Sequence, residues 1–118
     1  MSEDECSWQG VSCQTVSPDL RRGLQEDSPV VTGLNLEANN LQGNIPADIT
    51  LLQYLQTLRL SKNQIEGEIP ASINKLEFLE ELYLDANKLS GELQSIVFST
   101  FKSMGIIDLS SNGLSGPI

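Results

Sequence analysis

The chain has 118 residues, seven Lys plus Arg against sixteen Asp plus Glu, and no histidine, for a formal charge of −9. Without histidine there is no Ser/His/Asp triad, no Cys/His pair and no histidine-ligated zinc, and two cysteines cannot complete a four-thiolate site. The acidity argues against nucleic acid and anionic membrane, which both need a cationic face, and no apolar run approaches the length of a bilayer span.

Met1 is followed by Ser-Glu-Asp-Glu rather than by a basic and then an apolar stretch, so no signal peptide is visible. The block CSWQGVSC, Cys6 to Cys13, comes next. Gln14 to Pro29 is polar, with Pro18, Gly23, Pro29 and the pair Arg21–Arg22, and reads as a surface loop. Ser17-Pro18-Asp19 offers a start for one helical turn, because proline suits the first helical position.

From Val31 onward the apolar residues become periodic. Asn39, Asn63, Asn87 and Asn112 stand 24, 24 and 25 residues apart, each with apolar residues three, five and eight positions before it. These are Leu36, Leu34 and Val31, then Leu60, Leu58 and Leu55, then Leu84, Leu82 and Leu79, and finally Leu109, Ile107 and Met104. Each Asn is followed by an apolar residue at plus two and a glycine at plus four: Gly43, Gly67, Gly91 and Gly116. A period of this length with LxxLxLxxN is the leucine-rich-repeat signature.

The LxL segments alternate and predict short strands with leucines inward, which stacked neighbours bury together as a parallel sheet. The asparagines are expected to turn inward, their amides satisfied by backbone groups of adjacent coils. Behind the strands, LQGNIPADI and IEGEIPASI place Pro46 and Pro70 at the start of an element, while glycine permits a turn. The third coil reads LSGELQSIV, with Gln94 in place of proline and one extra residue before Met104. The insertion predicts a bulge near 97–101, with Phe98 or Phe101 keeping the core contact. The expected fold is an α/β-type leucine-rich-repeat solenoid, with a parallel sheet on its concave side and short 3-10 or loop segments on its convex side. Residues 1–30 form a cap and linking loop. About four repeats follow, at 31–54, 55–78, 79–103 and an incomplete 104–118.

The residue between the two strand leucines, and the one after them, point outward on the concave face. One column is then Asn35, Arg59, Tyr83 and Asp108, and the next is Glu37, Ser61, Asp85 and Ser110, flanked by Gln56, Thr57, Glu80, Glu81 and Lys62. Tyr83 beside Arg59 suits a cation–π contact or a binding hot spot. Asp85, Glu81 and Asp108 would attract a basic group on a partner. The candidate ligand-binding residues are therefore Tyr83, Arg59, Asp85, Asp108, Asn35 and Glu81. Nothing in the pattern asks for a cofactor or a metal. An open sheet also lacks the enclosed pocket that shifts a catalytic carboxyl, so the chain does not read as an enzyme.

The repeat form LxGxIPxxI, with CxWxGVxC ahead of it as CSWQGVSC, resembles the plant-type leucine-rich repeats of receptor-like kinases, receptor-like proteins and polygalacturonase-inhibiting proteins. The resemblance implies that Cys6 and Cys13 pair as a disulfide, that Trp8 packs on the first coil, and that the cap closes the end of the core. It also implies a protein- or peptide-recognition module, the N-terminal part of a cell-surface or secreted receptor-like protein, with any kinase activity in a domain outside this chain. A non-signalling scaffold and an inhibitor of a secreted wall-degrading enzyme are the alternatives. Only five residues precede Cys6, where the family carries a longer segment, so the chain reads as a piece of a larger protein.

Overall fold

A short segment with a leucine on either side of one polar residue cannot bury its apolar face alone, and the chain solves this by stacking such segments. The computed structural model describes residues 5–7, 9–16, 28–92 and 100–114. Strands β2 (Ser28–Asn35), β4 (Thr57–Arg59), β6 (Glu81–Tyr83) and β8 (Ile106–Asp108) lie side by side in parallel, one per repeat. Their inward residues Leu34, Leu58, Leu82 and Ile107 are direct partners along one row.

Burial is greatest in the middle coils. Leu55, Leu58, Ile73, Leu76, Leu79, Leu82, Leu84 and Leu89 are fully enclosed, whereas Leu34, Leu36, Ile107 and Leu109 toward the ends are only partly covered. Each fully buried leucine stabilises the stack by about 1.5–3 kcal/mol. Proline starts the elements behind the sheet as expected: Pro46 and Pro70 precede 3-10 turns at Ala47–Leu51 and Ala71–Lys75. Phe101 is buried in the core behind the third coil, whereas Gln94 and Phe98 lie outside the described residues.

Two features differ from the sequence expectation. Gln14–Val16 and Ser28–Pro29 are not loop: β1 (Val11–Val16) runs antiparallel to β2, with Val11 against Leu34 and Val16 against Ser28. The alternation Val11-Ser12-Cys13-Gln14 explains it, since Val11 and Cys13 pack against the core while Ser12 and Gln14 are exposed. Ser17-Pro18-Asp19 falls outside the described residues. The second difference is a further sheet. Segments β3 (Gln42–Gly43), β5 (Gln64–Glu68) and β7 (Lys88–Ser90) form a second parallel ladder rather than turns. Gly43 and Gly67 within it, and Gly91 just after β7, have φ of +93°, +83° and +95°, a region that favours residues without a Cβ.

At the cap, Cys6 and Cys13 are disulfide-bonded, with Cα atoms 5.7 Å apart. Trp8, expected to pack on the first coil, lies outside the described residues. The Asn35 N–H donates to the Gly10 carbonyl at 2.7 Å, joining the bridged segment to the first strand.

The asparagine ladder holds at three of four positions. Asn63 Nδ2 donates to the carbonyls of Leu36 (3.0 Å) and Leu60 (2.9 Å), and its Oδ1 accepts the N–H groups of Asn39 (2.9 Å) and Leu41 (3.0 Å). Asn87 and Asn112 repeat this one and two coils further on, reaching back to Leu60 and Leu84. Asn39 departs from the expectation. It is exposed, and its Nδ2 donates to Glu37 of its own coil at 3.0 Å. The reason is positional: on its cap side the chain offers the antiparallel β1 instead of a preceding coil.

Candidate ligand-recognition face

The strand register settles which outward side chains are neighbours. Asn35 is opposite Arg59, Arg59 opposite Tyr83, and Tyr83 opposite Asp108, so the column expected from the repeat is one continuous row. The extra residue in the third coil leaves this row intact, with Tyr83 still opposite Asp108. A flanking row reads Gly33, Thr57, Glu81, Ile106.

Arg59 and Tyr83 come together. The guanidinium carbon lies 4.2 Å from the ring centroid, and both residues remain partly exposed. The Tyr83 hydroxyl donates to Glu81 Oε1 at 3.0 Å. That bond, reinforced by partial burial and the carboxylate's charge, holds the phenol above its ordinary range, with Arg59 opposing. The three side chains form a fixed cluster of cation, ring and carboxylate.

The remaining candidates are held separately. The Ser61 hydroxyl donates to Asp85 Oδ1 at 2.5 Å across two coils. Asp108 Oδ1 accepts the Ser110 hydroxyl at 2.6 Å and the Ser110 N–H at 3.1 Å, which lowers its carboxyl below the ordinary range. Asn35 Oδ1 makes the corresponding bond with the Glu37 N–H at 3.2 Å. Lys62 approaches Glu37 at 3.9 Å, both near the surface, a contact worth at most about 1 kcal/mol. Negative charge thus gathers at the β6–β8 side of the face and the Arg59 cation toward β2.

One feature had no counterpart in the sequence reading. Beside Arg59 the face sinks into a hollow of about 320 Å³ between the cap strand and the first two repeats. Its walls include Ser12, Gln14, Asn35, Gln56, Thr57 and Arg59, and its floor lies at Gly33, where a Cβ would stand 3.2 Å from that of Ser12. The alternation within VSCQTV carried the signal, because it turns Ser12 and Gln14 outward beside the first repeat.

The leucine-rich-repeat family model matches residues 54–76. A chain of the BIR3–SERK2 complex from Arabidopsis thaliana superposes with a TM-score of 0.73 at 32% identity, over 92% of this chain and 53% of that one. The chain is a plant-type leucine-rich-repeat protein. Further matches of this leucine-rich-repeat chain include the BIR2 ectodomain from Arabidopsis thaliana, with 28% identity and a TM-score of 0.66 over 95% of this chain and 66% of that one. The ectodomain of the Arabidopsis thaliana membrane receptor kinase GASSHO1/SCHENGEN3, solved in complex with CASPARIAN STRIP INTEGRITY FACTOR 2, matches with 27% identity and a TM-score of 0.72 over 98% of this chain and 15% of that one. The leucine-rich-repeat chain thus spans about half the length of the first relative and far less of the receptor kinase ectodomain. No curated protein matches it significantly in sequence. Among the described residues, no helix is long and apolar enough to cross a membrane.

Proposed function

We propose that this leucine-rich-repeat protein is a protein- or peptide-recognition module, the N-terminal part of a cell-surface or secreted receptor-like protein, and that it binds through the outer face of its main sheet. The observation that carries this reading is the Arg59–Tyr83–Glu81 cluster, an aromatic and a guanidinium fixed against each other at the middle of an open sheet face. Tyrosine and arginine on pre-ordered elements are the side chains that most often anchor interfaces. The receptor and complex relatives support recognition as the role. The Cys6–Cys13 bridge supports an oxidising, extracellular setting. The face is open and its titration shifts arise from local hydrogen bonds, which favours binding over catalysis.

Panning a peptide library on the oxidised chain tests this. Binders should lose about tenfold or more in affinity on Tyr83→Ala and on Arg59→Ala, as hot-spot residues do. Binders indifferent to both substitutions would place recognition elsewhere and overturn the assignment.

A further inference from the structure

Resting on the recognition reading above, we infer that the hollow beside Arg59 is an acceptor site for a carboxylate of the ligand, and that the ligand lies along the row with its acidic group toward the cap and a basic group toward β8. The chain carries sixteen acidic residues, yet among the described residues none lines this hollow, and Arg59 is the only charged wall. The other lining groups are hydrogen-bonding and neutral: Ser12, Gln14, Gln56 and Thr57 offer hydroxyls and amides that can donate. Among the described residues Arg59 has no carboxylate within ion-pair distance, and its partner is the Tyr83 ring. A guanidinium stacked on an aromatic keeps its N–H edge for bidentate contact with a carboxylate.

Gly33 makes the space. In the flanking row the next two positions are Thr57 and Glu81, and a side chain at Gly33 would project against Ser12. On the opposite side of Tyr83, the row ends at Asp108 with Asp85 and Glu81 nearby, a site that repels a carboxylate and attracts a cation.

The spacing gives the inference a measurable form. Arg59 and Asp108 lie two strands apart, about 9.6 Å at the ordinary inter-strand distance. A ligand segment in polyproline II conformation returns to the same side every third residue, after about 9.3 Å. An acidic and a basic residue three positions apart would then reach Arg59 and Asp108 together, with the intervening residues over Tyr83.

Peptide-display selection on the immobilised full chain, with binding sites mapped by amide NMR shifts, provides the test. Expected are pools enriched in an acidic and a basic residue three positions apart, shifting the amides of Gly33, Gln56 and Thr57. Those peptides should bind Arg59→Gln at least about tenfold more weakly, the scale of a charge-assisted hydrogen bond. Arg59→Lys should retain part of the affinity. Thr57→Glu, which places a carboxylate in the hollow while leaving Arg59 in place, should abolish it. Circular dichroism and thermal melts of the three variants confirm that they fold. Peptides that map to the sheet face without acidic enrichment, or that bind Arg59→Gln and Thr57→Glu as tightly as the parent, would overturn the carboxylate site and leave the recognition reading standing. Selection that yields no peptide on the sheet face would overturn both.

Discussion

The four repeat asparagines look equivalent in sequence, and the structure predicts that they are not. Asn87 is buried and makes four bonds: Nδ2 donates to the carbonyls of Leu60 (2.9 Å), Leu84 (3.1 Å) and Asp85 (3.1 Å), and Oδ1 accepts the Ile65 N–H (3.1 Å). Asn87→Ala leaves the carbonyls served. Leu60 still receives Asn63 Nδ2, Leu84 receives Asn112 Nδ2, and Asp85 receives the Lys62 N–H. The Ile65 N–H, in a buried position, loses its acceptor. An orphaned buried donor costs about 1–3 kcal/mol, and the lost net bonds add about 1 more, giving about 3 kcal/mol in all. Asn39→Ala removes a single exposed bond to Glu37 and should stay within about 0.5 kcal/mol of the parent. Asn87→Asp separates bonding from volume. It fills the same space and keeps the acceptor, but it sets a negative charge against three carbonyls, so it should destabilise at least as much as alanine. Urea unfolding under oxidising conditions measures all three, with the slope checked for constancy. Equal midpoints for Asn87→Ala and Asn39→Ala, or a mild Asn87→Asp, would refute the ladder as the source of stability.

Other expectations follow from single contacts. Reducing the Cys6–Cys13 bridge reopens a loop of eight residues and should lower unfolding stability by about 2.5 kcal/mol in the chain-entropy account, read as a shifted urea midpoint in dithiothreitol. Gly10→Ala should be far more damaging than Gly43→Ala in the same assay. Both glycines have positive φ, but a Cβ at Gly10 would collide with the Asn35 carbonyl while one at Gly43 meets open space. Gly43→Ala should therefore cost only the backbone term, about 1–2 kcal/mol. In alkaline titration followed by tyrosinate absorbance, Tyr83 should ionise above ordinary tyrosine, and Glu81→Gln should bring it down. The sign for stability follows: with its folded pKa raised above 10.0, the Tyr83 contribution is complete below that value and is lost as pH rises through the folded pKa.

The main sheet was legible because one number governed it. A spacing of 24 puts Leu58 beside Leu82 and Arg59 beside Tyr83, and inward leucines fix the register, since a one-residue slip would turn them to solvent. The second ladder was not legible for a matching reason. Its segments are only two, five and three residues long and bury at most one side chain each, Ile65 in β5 and Leu89 in β7, so they are too short for a periodicity of two to mark them. Their pairing is imposed by the stacking of coils that the leucines drive. The residue before each asparagine shows the same dependence. Ala38, Lys62, Ala86 and Ser111 all have φ near +55 to +59°, where glycine or asparagine would be expected, and no sequence preference announces it. At Lys62, Ala86 and Ser111 the stack holds the strain because the following amide faces inward.

The face followed the same division. Which side chains line the Asn35–Asp108 row is a matter of register, and register was in the sequence. What those side chains do to one another was not, because it depends on rotamers: Arg59 turns onto Tyr83 rather than toward a carboxylate, Tyr83 toward Glu81, and Asp85 toward Ser61. Had Arg59 paired with Glu81, the face would hold a neutral pair at its centre and offer a ligand only rim acids. By engaging the ring instead, Arg59 remains, among the described residues, a cation without a neutralising carboxylate, and Glu81 accepts the phenol's hydrogen bond. The row is thereby polarised along the stack, positive toward the cap and negative toward β8. Under the proposed recognition role, a uniformly acidic face would select ligands by net charge alone, whereas a polarised one would select their direction.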